Sequence, residues 1–314
     1  MLLKGTMSVL SNQRVAYFNG KIVPEREVVI PFRDRSFTKG DGVFDMTRSF
    51  NGHIFKVKEH IDRLYRSLHY TQIDCGLKPK EMIEISEDVL NRNRHLLGPD
   101  EDYWIGQRIS RGVDAVGDEG WDHLKANVIV DCVPLPHRER AKLYRDGMRV
   151  VVPPTRRVAP SMLSPRAKMH QYMNLVLADM QAKAVDSEAW SILLDENGNL
   201  AEGTGSNIFL VKDGRVRTPR ERYVLPGVSR ATVIELAAKL EIPLEETDID
   251  LYDTATADEI FVTSTSLVVC PVSKFNGATV GDGAVPGPIT KRLTQAYIEL
   301  VDCDFVRQYT RHLE

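Results

Sequence analysis

Ser164-Pro165-Arg166-Ala167-Lys168-Met169-His170-Gln171-Tyr172 opens the stretch that decides the fold, and Leu200-Ala201-Glu202-Gly203-Thr204-Gly205-Ser206-Asn207 closes it. Pro165 restricts the backbone at the entry, which predicts Lys168 at or near a helix N-terminus. Tyr172, Leu175, Val176 and Asp179 follow at helical spacing, so Tyr172 is expected on the Lys168 face. The apolar run 189–194 reads as a buried strand. Asp195-Glu196-Asn197-Gly198-Asn199 is turn chemistry, and Asp213-Gly214 is a second hairpin signal after the strand pattern Asn207-Ile208-Phe209-Leu210-Val211. Glu202 is therefore expected on a short strand between two turns, with Gly203 and Gly205 leaving room for a flat ligand. Taken singly, the lysine reads as a surface group and the acid as a solvated one. Folded back on each other, they offer an amine and a carboxylate to one site.

The chain is 314 residues long, enough for two domains or one large one. Its 42% hydrophobic and 27% charged content are those of an ordinary globular protein. A net charge of −3 gives no sign of nucleic acid or anionic membrane partners. Cys75, Cys132, Cys270 and Cys303 are scattered without a CxxC pair, which points to reduced thiols in the cytoplasm rather than a disulfide or zinc framework. No apolar run reaches membrane-spanning length, and no metal site is expected.

Working outward, residues 1–14 read as a loose leader. Residues 15–136 read as a smaller α+β domain of mostly antiparallel character. Its expected strands are Tyr17-Phe18 and Lys21-Val23 around an Asn19-Gly20 turn, then 28–32, 42–50, 53–55, 103–111 and 126–133. Its expected helices carry Ile61, Leu64, Tyr65 and Leu68 on one face and span 80–97. Pro134-Leu135-Pro136 leads into an expected linker at 137–143, followed by a larger domain over 144–314. There a helix from Ser229, strands near 259–263 and 268–272 and a last helix over 289–300 are predicted.

Six motifs occur in order: Asp34-Arg35-Ser36-Phe37-Thr38-Lys39-Gly40-Asp41-Gly42-Val43-Phe44-Asp45, His60-Ile61-Asp62-Arg63-Leu64, Pro165-Arg166-Ala167-Lys168, Ala201-Glu202-Gly203-Thr204-Gly205-Ser206-Asn207-Ile208-Phe209, Leu225-Pro226-Gly227-Val228-Ser229-Arg230 and Thr263-Ser264-Thr265-Ser266. In these the chain resembles the fold type IV, or class IV, pyridoxal phosphate aminotransferases. That family includes branched-chain and D-amino acid aminotransferases and (R)-selective amine transaminases. The resemblance implies a two-domain α/β fold, pyridoxal 5'-phosphate as cofactor and a working homodimer. It implies Lys168 as the Schiff-base lysine and Glu202 as the partner that keeps the pyridine nitrogen protonated. Arg63 is implied at the phosphate, together with Gly227, Val228 and Ser229 at a helix N-terminus, where N–H donors and the helix dipole favour an anion. Tyr172 is implied near the cofactor hydroxyl, and Thr265 and Ser266 at phosphate and substrate carboxylate.

On the substrate side, Phe44, Met46 and Arg48 alternate onto one strand face, so Phe44 and Arg48 are candidates to line the pocket. Arg48 or Arg108 is the expected carboxylate holder. The Arg-x-His carboxylate trap of the D-amino acid enzymes is absent from Val113 to Asp122, and the branched-chain enzymes' strand arginine aligns with Gly106. Lys168-Met169-His170-Gln171-Tyr172 instead resembles the (R)-amine transaminases. The expected reaction is amino transfer from an amino acid or amine to a 2-oxo acid. The alternatives are an aminodeoxychorismate lyase-type or D-amino acid enzyme, or an inactive pyridoxal phosphate-binding protein.

Overall fold

The computed structural model describes residues 13–98, 100–114 and 125–313. The expected leader lies mostly outside the described residues, as does most of the stretch from Val113 to Asp122.

Turns with left-handed residues set the first sheet. Asn19 (φ 48°) and Gly20 (φ 92°) turn the chain tightly enough to pair β1 (Val15–Phe18) with β2 (Lys21–Pro24). With β3 (Gly42–Phe50), β4 (His53–Ile54), β5 (Tyr103–Ser110) and β6 (Asn127–Pro134) they form an antiparallel sheet in the order β2-β1-β6-β5-β3-β4. The strand expected over 28–32 does not form. Pro31 lacks the N–H a ladder needs, and Val29 and Phe32 stand exposed. The short helix α1 (Arg35–Lys39) follows, capped by the Asp34 side chain. Helices α2 (Val57–Thr71) and α3 (Pro79–Asn93) cover one face of the sheet. Ile61, Leu64, Leu68, Met82 and Val89 bury there against Val43, Ile105 and Val130. Each such side chain contributes about 1.5–3 kcal/mol on leaving water.

Residues 137–143, expected as a linker, are helical: α4 runs His137–Asp146 and buries His137, Ala141 and Tyr144 at i, i+4 and i+7. The prolines before it mark the helix entry rather than a flexible joint.

The second sheet comprises β7 (Met148–Val151), β8 (Trp190–Leu194), β9 (Leu200–Gly203), β10 (Asn207–Lys212), β11 (Arg215–Pro219), β12 (Leu244–Thr247), β13 (Glu259–Ser264), β14 (Val268–Phe275) and the short β15 (Ala278–Thr279). Its order is β12-β11-β10-β13-β14-β7-β8-β9, and β9 pairs back onto β10 through Glu202 and Asn207. That closure brings Glu202 to one end of a rolled sheet. Helices α5 (Met173–Val185), α6 (Val228–Lys239), α7 (Leu251–Thr256), α8 (Pro288–Val301) and α9 (Phe305–Thr310) surround it. The core is apolar and closely stacked, with the Phe209 and Phe261 rings 4.8 Å apart and nearly parallel.

Candidate active site

The lysine comes first, because its local structure departs from expectation. Residues 168–170 are extended, and α5 begins only at Met173 with Tyr172 as its cap. The Phe44 N–H donates to the Lys168 carbonyl (3.0 Å), and the His170 N–H donates to the Gly42 carbonyl (2.9 Å). The Lys168 N–H donates to Ser67 Oγ (3.0 Å). Backbone groups bound to β3 and α2 cannot also join a helical ladder, so the helix start predicted at Lys168 is corrected. Lys168 Nζ lies 4.6 Å from the centroid of the Phe44 ring, within cation–π range. Phe44 also packs on Tyr172 and His170, each with ring centroids 5.5 Å away.

Glu202 lies buried on β9. Its Oε1 accepts from Arg157 Nε (2.9 Å) and its Oε2 from the Leu225 N–H (2.8 Å). Arg157 was not picked out from the sequence. It sits in the loop before the lysine, and nothing in Arg156-Arg157 marks which side chain turns inward.

Arg63 of α2 is held by Asp45 of β3 in a two-pronged contact: Nε to Oδ2 and Nη2 to Oδ1, both 2.8 Å. Its Nη1 donates to the Pro226 carbonyl (3.1 Å), next to the start of α6. His60 Nδ1 is 2.7 Å from Asp45 Oδ1. Burial opposes ionisation of Asp45, but Arg63 and His60 together hold its carboxyl well below the usual carboxylate range. Burial pushes the His60 imidazole down despite that acid.

Helix α6 starts at Val228 after Gly227, and among the described residues no side chain caps its first N–H groups. Gly227 leaves no room for a side chain there: a Cβ would collide with Asn207 Oδ1. Ser229 Oγ donates to the Ser264 carbonyl (3.1 Å), and Thr265 Oγ1 donates to the Met46 carbonyl (3.1 Å).

These elements frame a cleft whose wall includes Arg63, Lys168, Tyr172, Glu202, Gly227, Val228, Ser229 and Thr265. Every residue expected around the cofactor is thus in one cavity. The substrate candidates fare differently. Phe44 backs Lys168. Arg48 is buried behind the cleft: Nη1 donates to the Ser266 carbonyl (3.2 Å), Nη2 to Gln308 Oε1 (3.1 Å) and Nε to the Ser49 carbonyl (3.1 Å). Its guanidinium also lies 3.9 Å from the centroid of the Phe50 ring, so the expectation that it faces a substrate carboxylate is corrected. Strand alternation gave its side of β3 but not the packing of α9 against it. Arg108 pairs with Asp131 (3.3 Å) and reaches Phe44 rather than the cleft wall. Ser266 lies just outside the wall, its carbonyl held by Arg48 and the Tyr309 hydroxyl (2.7 Å).

The cleft fits pyridoxal phosphate on observations of its own. A lysine amine with no ion pair among the described residues and a buried carboxylate share it with an uncapped helix start beside an arginine. The Thr263 hydroxyl, in the same wall, is buried without a partner among the described residues.

The model of the amino-transferase class IV family matches residues 42–275. A putative branched-chain-amino-acid aminotransferase of Methanocaldococcus jannaschii is 35% identical over 90% of this chain and 95% of its own. A D-alanine aminotransferase of Bacillus licheniformis is 28% identical over 89% and 94%. Among solved structures, the Escherichia coli branched-chain amino acid aminotransferase superposes with a TM-score of 0.85 at 28% identity, covering 92% of this chain and 95% of the other. A branched-chain amino acid aminotransferase of T.th., solved with N-(5'-phosphopyridoxyl)-L-glutamate, gives 0.82 at 27% identity over 95% and 97%.

Proposed function

From the premise that the chain belongs to the class IV aminotransferases, a family of pyridoxal phosphate-dependent transaminases, we propose that it moves the amino group of a branched-chain L-amino acid to a 2-oxo acid from the cleft around Lys168. The observation that carries the reading is Lys168 and Glu202 in the wall of one cavity. The branched-chain donor rests on the names of the relatives.

When bound, pyridoxal phosphate supplies an aldehyde that condenses with amines and a ring that accepts electron density. Lys168 is the attachment point. Its Nζ would also serve as the base that takes the donor's α-proton and returns a proton to the product side. Glu202, steadied by Arg157, would supply the negative charge for the ring nitrogen. Arg63, oriented by Asp45, and the N–H groups of α6 hold the phosphate. Thr265, tied to β3 through Met46, borders the substrate.

Residues 15–136 and 144–314 act as the two domains around the cleft, and the working unit is a homodimer. An exposed apolar stripe on α5, Met173, Val176, Leu177 and Met180, supports a second copy as partner. Four free cysteines suit the cytoplasm.

The test is to offer L-leucine, D-alanine and (R)-1-phenylethylamine separately with 2-oxoglutarate and follow the carbonyl product. The proposal expects 4-methyl-2-oxopentanoate from L-leucine at the highest rate. Preference for the aromatic amine favours the reading suggested by Gln171 and Tyr172, and preference for D-alanine a D-amino acid enzyme.

A further inference from the structure

The cations around the cleft are nearly all committed. Arg63 is bound to Asp45, Arg157 to Glu202 and Arg108 to Asp131, while Arg48 is fixed against Ser266, Gln308 and Ser49, with Asp102 3.9 Å away. Arg140, on the first turns of α4, differs. Among the described residues no carboxylate lies within ion-pair distance of it. Its guanidinium lies instead within cation–π range of two indoles, 4.9 Å from the Trp104 centroid and 5.4 Å from that of Trp190, and donates to Ser266 Oγ. A guanidinium offers five N–H donors in a planar fork, and one hydroxyl leaves most of that capacity for an anion. Burial without a counter-charge also pushes its proton affinity down.

Its position matters for the reaction. Ser266 follows Thr265, which lines the cleft, so Arg140 is one hydrogen bond away from the turn that borders the substrate. Arg140 also lines a second, open cavity, which shares Thr204 with the cofactor cleft. The anion that every turnover brings to this place is the carboxylate of an amino or 2-oxo acid. Resting on the transaminase reading above, we propose that Arg140, with the Ser266 hydroxyl, is the carboxylate-binding cation of the substrate site. The two indoles steady the guanidinium, and Arg48 and Tyr309 hold the Ser266 carbonyl.

The test compares two reagents that both capture the bound cofactor's aldehyde, read as an absorbance change: aminooxyacetate, which carries a carboxylate, and methoxyamine, which does not. Wild-type holoenzyme is compared with Arg140→Met and Arg140→Lys. Arg140→Met should slow capture by aminooxyacetate about 10- to 100-fold, the scale of a lost charge-assisted hydrogen bond. Capture by methoxyamine should stay within about 2-fold, because it never uses the cation. Arg140→Lys, which keeps charge and length, should recover part of the loss, and it serves alone if the methionine variant does not fold. Equal slowing of both reagents, or of neither, overturns the assignment and leaves Arg140 a packing residue. Parallel kcat/KM values for 2-oxobutyrate and 2-oxoglutarate check the same carboxylate: loss for both supports Arg140 at the α-carboxylate, and loss for neither, or for 2-oxoglutarate alone, overturns that assignment. If wild-type protein captures neither reagent, the cofactor reading of the cleft itself has failed, an outcome distinct from a failure of Arg140.

Discussion

Glu202 and Lys168 are linked by chemistry, yet they are held in different ways. Glu202 is fixed from two sides, by the Arg157 guanidinium and the Leu225 N–H, whereas the Lys168 amine rests over the Phe44 ring. Glu202→Gln keeps the side chain's shape but removes the charge proposed to face the ring nitrogen. It should lower kcat on the order of 10²-fold or more while changing cofactor affinity little, because the charge acts chiefly on the transition state. Single-turnover rates with L-leucine beside a cofactor titration check this, and near-normal turnover would assign the ring nitrogen to another group. Both residues were legible because motif wording and turn chemistry surround them. Arg157 was not: its role depends on which way one of two adjacent arginines turns, and that is decided by the position of Glu202 in the fold. Arg48 was misread for a related reason. Alternation along a strand assigns faces, but it does not say that Gln308 and the Ser266 turn occupy the one on which Arg48 lies.

Between elements, the contact that orients Arg63, the proposed phosphate cation, is the clasp of β3 on α2. Asp45 takes both Nε and Nη2 of Arg63 in a fully buried pair. Asp45→Asn would leave that guanidinium without its carboxylate, a loss of about 3–5 kcal/mol for one broken partner of a buried pair. The expected results are a large fall in the urea midpoint and weaker cofactor binding. Adding Arg63→Met should recover part of the stability but none of the binding, since the two residues are coupled. An unchanged midpoint in the single variant would show that the clasp carries little. At this scale the sequence was read well where period and turn agreed, as in β3, α2 and α6. It was read badly where a proline dominated: the Pro165 turn leads into an extended segment that pairs with β3, and the prolines before α4 precede a helix with a buried face. Those outcomes depend on partners far along the chain.

For the molecule as a whole, the closing of the second sheet through β9 and β10 and the packing of β3 against the lysine segment bring the amine and the acid together. The same packing buries histidines. Burial lowers His60, pushes His170 down to about 4 and His137 down to about 3. Their folded values lie below the unfolded value near 6.5, so the unfolded chain binds more protons between the two and stability falls as pH drops. Below about pH 6.5 each such histidine can cost up to about 1.4 kcal/mol per pH unit. Urea midpoints between pH 8 and pH 5 should fall toward acid, with a shallower slope in His170→Gln; a flat profile would contradict the burial of these rings as neutral groups. The central claim is that the fold places Lys168 at the cofactor's reactive carbon. Borohydride reduction of the holoprotein, followed by mass mapping of its peptides, tests it most directly. The pyridoxyl label should be found on the peptide containing Lys168 and be absent from Lys168→Ala; a label on another lysine, or one that persists in that variant, would contradict it.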